Sequence, residues 1–335
     1  MPAAARKIEV YQASRIKPPR RATQAEMDER AAFLIDYAAK HGPVTVRGLY
    51  YQSEVAGLPG IDKTDSGYDK IQSQVLKLRR AGRLPYRDIA DLTRWMRKPR
   101  TFNSVEAALQ DTARLYRKAL WRDASEYVEI WCEKDALAGV IYPVTAAYDV
   151  PLMVARGFSS ETFCFEAVEA HVGDPRHYVV YYFGDFDRAG RDAANSLHEK
   201  LDRFGGERGF EITFVHLAIE ESDIVEFDAG AQRAQVTVGD AELWLPTREP
   251  KRKSIVDQLW PHPFACELDA IPPDDLRATV RWAIEHHLPA DQLQILQIAE
   301  AAERDQITRL VAGLGGKTNG DDDSGKDNGG GVDDE

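Results

Sequence analysis

The sequence predicts an α/β protein in which a small helical domain precedes a mostly parallel β-sheet with helices on its faces. Tyr178 to Phe183 is a continuous apolar and aromatic run, the pattern of a strand buried on both sides. Strand-like and helix-like stretches alternate around it from about residue 121 onward, which is the signature of βαβ units. Ahead of them lie three helical stretches, the third studded with basic residues.

The helical front starts with Thr23, an N-cap signal followed by the early acids Glu26, Asp28 and Glu29, so a helix is expected to Lys40. A second helix is expected from near Thr45 until Gly57-Leu-Pro-Gly60 breaks it. A third runs from about Gly67 to Ala81, with Tyr68, Ile71, Val75 and Leu78 at helical spacing. Lys70, Lys77, Arg79, Arg80 and Arg83 decorate this helix and its end. With short strands and a wing expected over Leu84 to Trp95, residues 23–120 read as a winged-helix DNA-binding domain. Phe102 to Trp121 is expected to be one long linking helix. The sheet domain, 121–314, is then read as strands over Tyr127–Cys132, Leu152–Ala155, Tyr178–Phe183 and Ile212–Leu217. Helices are expected over Asp135–Tyr148 and Ser160–His171 and after Gly190. Leu243–Leu288 mixes loop and helix, and Gln292–Leu314 is a last helix. Residues 1–22 read as a basic arm and 315–335 as a disordered acidic tail.

The formal net charge of −12 hides a division along the chain. Residues 1–100 hold 20 Lys and Arg against 11 Asp and Glu, a net of +9, and the remainder carries −21. A basic front joined to an acidic rear suggests a front that meets phosphate. No apolar run reaches membrane-spanning length and no apolar signal segment opens the chain, so a cytoplasmic, nucleoid-associated protein is expected. Cys132, Cys164 and Cys266 have no metal-ligand spacing and read as buried thiols.

Three acids stand at expected strand ends: Glu133, then Asp185 and Asp187, two apart on extended backbone and therefore on one side. Function gathers at the carboxyl ends of parallel strands, and clustered carboxylates suit a hard divalent cation. The plainer reading of Asp185 and Asp187 is an acidic turn capping the next helix. In the front domain, Arg47 and Tyr51 are four apart and share a helix face. There the guanidinium can stabilise a developing phenolate and grip a phosphate. The plainer reading makes Tyr50 and Tyr51 packing residues.

A glutamate closing one strand and an Asp-x-Asp closing a later one resembles the Toprim domain of topoisomerases, primases and certain nucleases. Thr45-Val-Arg-Gly-Leu-Tyr-Tyr51 resembles the tyrosine motif of the topoisomerase VI A subunit and of the related meiotic double-strand-break transesterase, and Cys266-Glu-Leu-Asp-Ala-Ile271 resembles a further segment of that family. The resemblance spans roughly residues 23 to 290. It implies a winged helix followed by a Toprim-like domain, Tyr51 as nucleophile on double-stranded DNA, and catalytic roles for Arg47 and Glu133. It also implies Mg2+ on Glu133, Asp185 and Asp187, and a homodimer in which Tyr51 of one chain faces the acids of the other. Two departures bear on substrate geometry: Arg188 stands where the family has Pro, and Arg156-Gly-Phe-Ser159 where it has a Lys-Gly-Tyr-Pro-like loop. No Walker-type glycine loop is visible, so the ATPase of any strand-passage reaction, a GHKL-type B subunit, is a separate polypeptide. A Toprim-type metal-dependent nuclease of plasmid-defence systems, with Tyr51 structural, and a non-enzymatic DNA-binding scaffold are the alternative readings.

Overall fold

The computed structural model describes residues 22–90, 99–157, 159–250, 257–288 and 290–315. The basic arm up to residue 21, residues 91–95 of the expected wing and the acidic tail beyond residue 315 lie outside the described residues.

Three helices open the chain. α1 (Gln24–His41) starts on a full capping box, in which the Thr23 hydroxyl accepts from Glu26 N and the Glu26 carboxylate accepts from Thr23 N. α2 (Val46–Val55) is capped by Thr45, whose hydroxyl accepts from Gly48 N at 2.8 Å. α3 (Asp65–Arg80) is capped by Thr64 and buries Ile71, Val75 and Leu78 against the other two. Within 84–90, where strands were expected, the chain forms a short 3-10 turn over Tyr86–Asp88. Ile89 makes a single parallel bridge with Val44. Of the features expected of a winged helix, the described residues show the three helices and one bridge, and no strand over 84–90.

The linking helix is shorter than expected. α4 covers Val105–Leu115, and Tyr116 leaves it with extended backbone. The reason is tertiary. α9 (Ala290–Gly315) captures the following segment, Glu300 accepting from Lys118 N at 2.9 Å and Arg304 donating to Tyr116 O at 2.9 Å.

The second region contains a four-stranded parallel sheet in the order β2-β1-β3-β4. Its strands are β1 (Glu126–Cys132), β2 (Leu152–Val154), β3 (His177–Phe183) and β4 (Ile212–Ala218). Helices α5 (Ala138–Ala147), α6 (Glu161–His171) and α7 (Arg188–Arg208) connect them. Side chains of β3 alternate between two cores, as a doubly covered strand requires. Val179, Tyr181 and Phe183 join the core that includes α5, α8 (Pro273–Glu285) and the front helices, whereas Tyr178, Val180 and Tyr182 join the one with α6 and α7.

A second, antiparallel sheet went unforeseen: β5 (Ile224–Asp228), β6 (Arg233–Val238) and β7 (Ala241–Pro246). Its clue was the apolar alternation Ala234, Val236, Val238, all buried. The chain leaves β7 through Arg248, which bridges Ala265, and Cys266 in turn bridges Phe186. Those two bridges bring Glu267 to the carboxyl end of β3.

Candidate functional site

Strand register builds the site. Cys132 of β1 lies level with Phe183 of β3, so the residues that follow each strand become neighbours. Glu133 N donates to Phe183 O at 2.9 Å, and Glu133 Oε2 accepts from Asp185 N at 2.9 Å. Gly190 lets α7 begin close by, since a Cβ there would lie 2.3 Å from Asp185 O. Asp187 caps α7 through Gly190 N at 2.8 Å. The plainer reading of Asp187 therefore describes one of its two oxygens.

Its other oxygen belongs to a charge network. Arg248 Nη2 donates to Asp187 Oδ2 at 2.6 Å, and Arg248 Nε donates to Glu267 Oε1 at 3.0 Å. Lys134 Nζ reaches Asp185 Oδ1 at 2.9 Å, Asp269 Oδ2 at 2.8 Å and Glu267 Oε2 at 3.4 Å. Leu268 N adds a bond of 2.8 Å to Asp185 Oδ1. Lys134, Arg248, Glu267 and Asp269 were not singled out as site residues. The sequence clue was the Glu267-Leu-Asp269 segment, whose partners are far away along the chain.

α2 docks on this network within the same chain. Arg47 grips Glu267 with two bonds, Nε to Oε2 at 2.8 Å and Nη2 to Oε1 at 3.0 Å. The Thr45 hydroxyl donates to Asp269 Oδ1 at 3.0 Å. Tyr51 is buried beside Arg47. Burial and then the charge of Glu267 push its phenol well above the ordinary range, while Arg47 and Lys134 pull the other way. Tyr50 points elsewhere, its hydroxyl donating to Asp62 O at 2.9 Å and its ring lying edge-on to Tyr68. Within its own chain, Tyr51 lies near Arg47, Glu267 and Lys134.

Electrostatics divide the acids. Burial raises Glu133 to about 6, helped by the nearby charges of Asp185 and Asp187. Burial opposes ionisation of Glu267 as well, yet Lys134, Arg47 and Arg248 outweigh it and hold that carboxyl at about 2. The surrounding acids keep Lys134 protonated against its own desolvation.

Comparison with protein-family models, with curated proteins and with solved structures finds no match for this chain. The site is therefore read from its own geometry.

Glu133, Asp185 and Asp187 do stand together at the sheet end. As donors they are the hard oxygens that Mg2+ takes. Their placement is another matter: among the described residues no three acidic, His or Cys groups are arranged to hold a metal ion. Lys134 and Arg248 occupy oxygens of Asp185 and Asp187 instead. As placed, Asp185 and Asp187 form salt bridges and Glu133 accepts from the Asp185 amide.

The basic residues of α3 stay apart from this network. Lys70, Lys77, Arg80 and Arg83 are exposed, and Lys70, Lys77 and Arg83 line an open groove of about 650 Å3 between α1 and α3. Arg79 differs, its guanidinium lying 4.3 Å from the centre of the Tyr86 ring. Among the described residues no hydrogen bond or ion pair joins any of the five to the acids. No helix among the described residues is long and apolar enough to cross a membrane.

Proposed function

We propose that this protein cleaves double-stranded DNA by transesterification, with Tyr51 as the nucleophile. One observation carries the reading: α2 sets a buried phenol and its guanidinium against a lysine and a cluster of acids at the carboxyl end of a parallel sheet. In this reading the Tyr51 oxygen bonds to a DNA phosphorus, the bond to the 3′ oxygen breaks, and a 5′ phosphotyrosine results. The phenol gives up its proton to water as it attacks. Arg47 and Lys134 stabilise the phenolate charge and the equatorial phosphate oxygens. Glu133, beside Asp185, carries the proton that the 3′ oxygen takes up on leaving and returns in religation. The exposed cations of α3 hold the flanking duplex by its phosphates. A second copy of the chain and a separate GHKL-type ATPase are the partners of this reading if strand passage follows cleavage.

A phenol–SDS assay for covalent protein–DNA adduct, with supercoiled plasmid, tests it. Wild type and Tyr50→Phe form adduct, and Tyr51→Phe forms none although its ring and packing are kept. Nicking without adduct that persists in Tyr51→Phe would replace this reading with the hydrolytic nuclease.

Mg2+ on Glu133, Asp185 and Asp187 is a separate proposal, and no step above runs through it. Melting with and without Mg2+ examines it: ion binding raises the wild-type midpoint and raises that of Asp187→Ala much less. Equal shifts in the two proteins would remove the ion from those residues.

A further inference from the structure

We propose that Arg47, Lys134 and Arg248 form a binding site for a phosphodiester, and that Glu267 fills this site in the free protein as an internal stand-in for the phosphate. The inference shares its location with the proposed transesterase, and its test reads binding alone.

Three cations from three separate segments meet on one carboxylate. Arg47 comes from α2, Lys134 from the end of β1 and Arg248 from the exit of β7. Both oxygens of Glu267 are engaged, Oε2 by Arg47 and Lys134 and Oε1 by Arg47 and Arg248. A surface ion pair needs one partner, and a buried carboxylate is satisfied by two or three donors of any kind. Here the donors are all charged, and the carboxyl is held at about 2 against its own burial. An arginine fork that fits two carboxylate oxygens also fits two phosphate oxygens. A phosphodiester carries one negative charge, as the carboxylate does, so the exchange leaves the local charge unchanged. Lys134 and Arg248 remain anchored throughout on Asp185, Asp269 and Asp187.

Access favours the exchange from one side. The Arg47 side chain is 43% exposed, whereas that of Glu267 is 9% exposed, so a DNA phosphate reaches the guanidinium first. Tyr51 lies one turn beyond Arg47 on the same face of α2, so an anion held by that guanidinium sits near the phenol. The same cations that hold Glu267 would thus hold a phosphate at the nucleophile.

Duplex binding by fluorescence anisotropy, over a series of salt concentrations and in the Tyr51→Phe background, tests the proposal without any cleavage. Glu267→Gln removes the charge of the stand-in, so a phosphate displaces it more readily and the duplex binds about tenfold more tightly. The slope of log affinity against log salt steepens by about 0.9, the value for one further phosphate. Arg47→Gln has the opposite effect on both quantities, and its cost is larger when Glu267 is already Gln. Circular dichroism establishes that each variant is folded. Should Glu267→Gln not fold, Arg47→Gln decides alone, since Lys134 and Arg248 still hold Glu267 in that variant. Unchanged or weaker duplex binding by folded Glu267→Gln would overturn the proposal, and so would an Arg47→Gln protein that binds like its parent. Absence of covalent adduct in the plasmid assay leaves this test untouched, so the two readings fail separately.

Discussion

Two buried glutamates in this protein are satisfied in opposite ways. Glu129, on β1, is 4% exposed and accepts from three neutral donors: Tyr127 Oη at 2.9 Å, Trp131 Nε1 at 2.7 Å and Tyr178 Oη at 2.6 Å. Glu267 is 8% exposed and accepts from two guanidiniums and an ammonium. Burial drives Glu129 above the ordinary carboxylate range, its three donors only partly offsetting it, whereas the cations drive Glu267 far below. All three donors to Glu129 lie within the parallel sheet. Those of Glu267 come from both the front helices and the sheet region. A carboxylate fixed by neutral donors holds one core together. A carboxylate held by cations from different segments is a junction that another anion can enter.

The comparison breaks most visibly if α2 serves a partner's acids instead of its own. Mixing Tyr51→Phe with Glu133→Gln protein is expected to give no adduct, because each chain then lacks one half of a site built within itself. Recovery of adduct in the mixture, read on the same phenol–SDS assay, would show the site to be shared between chains.

Next in size is the structural glutamate. Glu129→Ala strands two phenols and an indole inside the core. The expected loss is on the order of 5 kcal/mol, from unsatisfied donors and the cavity together. Glu129→Gln keeps the volume and one acceptor, so it costs far less. Urea unfolding measures both, and a loss below about 1 kcal/mol in Glu129→Ala would show that the donors find other partners.

The two carboxylates also predict opposite responses to pH. Glu267 is depressed to about 2, so its contribution is present above the unfolded value and is lost as pH falls from about 4.5 through 2. Glu267→Gln is accordingly less stable than wild type near neutrality, by on the order of 3 kcal/mol, and the gap closes on acidification. Glu129 is raised, so the sign reverses: its contribution is complete below about 4.5 and is lost as pH rises through its folded value. The Glu129→Gln variant therefore gains on wild type as pH rises. Denaturant midpoints across pH distinguish the two, and parallel profiles would show that the difference in their partners has no energetic weight.

The smallest effect concerns cations outside either pocket. Lys77, Arg80 and Arg83 are exposed, so their joint replacement by Gln flattens the salt dependence of duplex binding by about 0.9 for each phosphate that is no longer neutralised. Arg79 is left out because it stacks on Tyr86. An unchanged slope would move the DNA-binding face away from α3.

Local features are legible in the sequence alone. Caps at Thr23, Thr45 and Ser160 put helix starts where short polar side chains meet free amides. The apolar run of β3 implied a strand covered on both faces. The i, i+4 spacing of Arg47 and Tyr51 placed them together, with Glu133, Asp185 and Asp187 at strand ends. These follow from forces acting over a few residues. The remaining features arise only in the assembled fold. The linking helix stops at Leu115 because α9 holds the segment beyond it. The β5–β7 sheet is a meander of sequence neighbours, but its buried face, Ala234, Val236 and Val238, is covered only by the assembled core that includes α8. Above all, Glu267 reaches Arg47 across 220 positions of chain, because Arg248, Ala265, Cys266 and Phe186 bridge in succession. Coulomb attraction among buried charges depends on where the fold delivers them, and no local pattern in the sequence encodes that meeting.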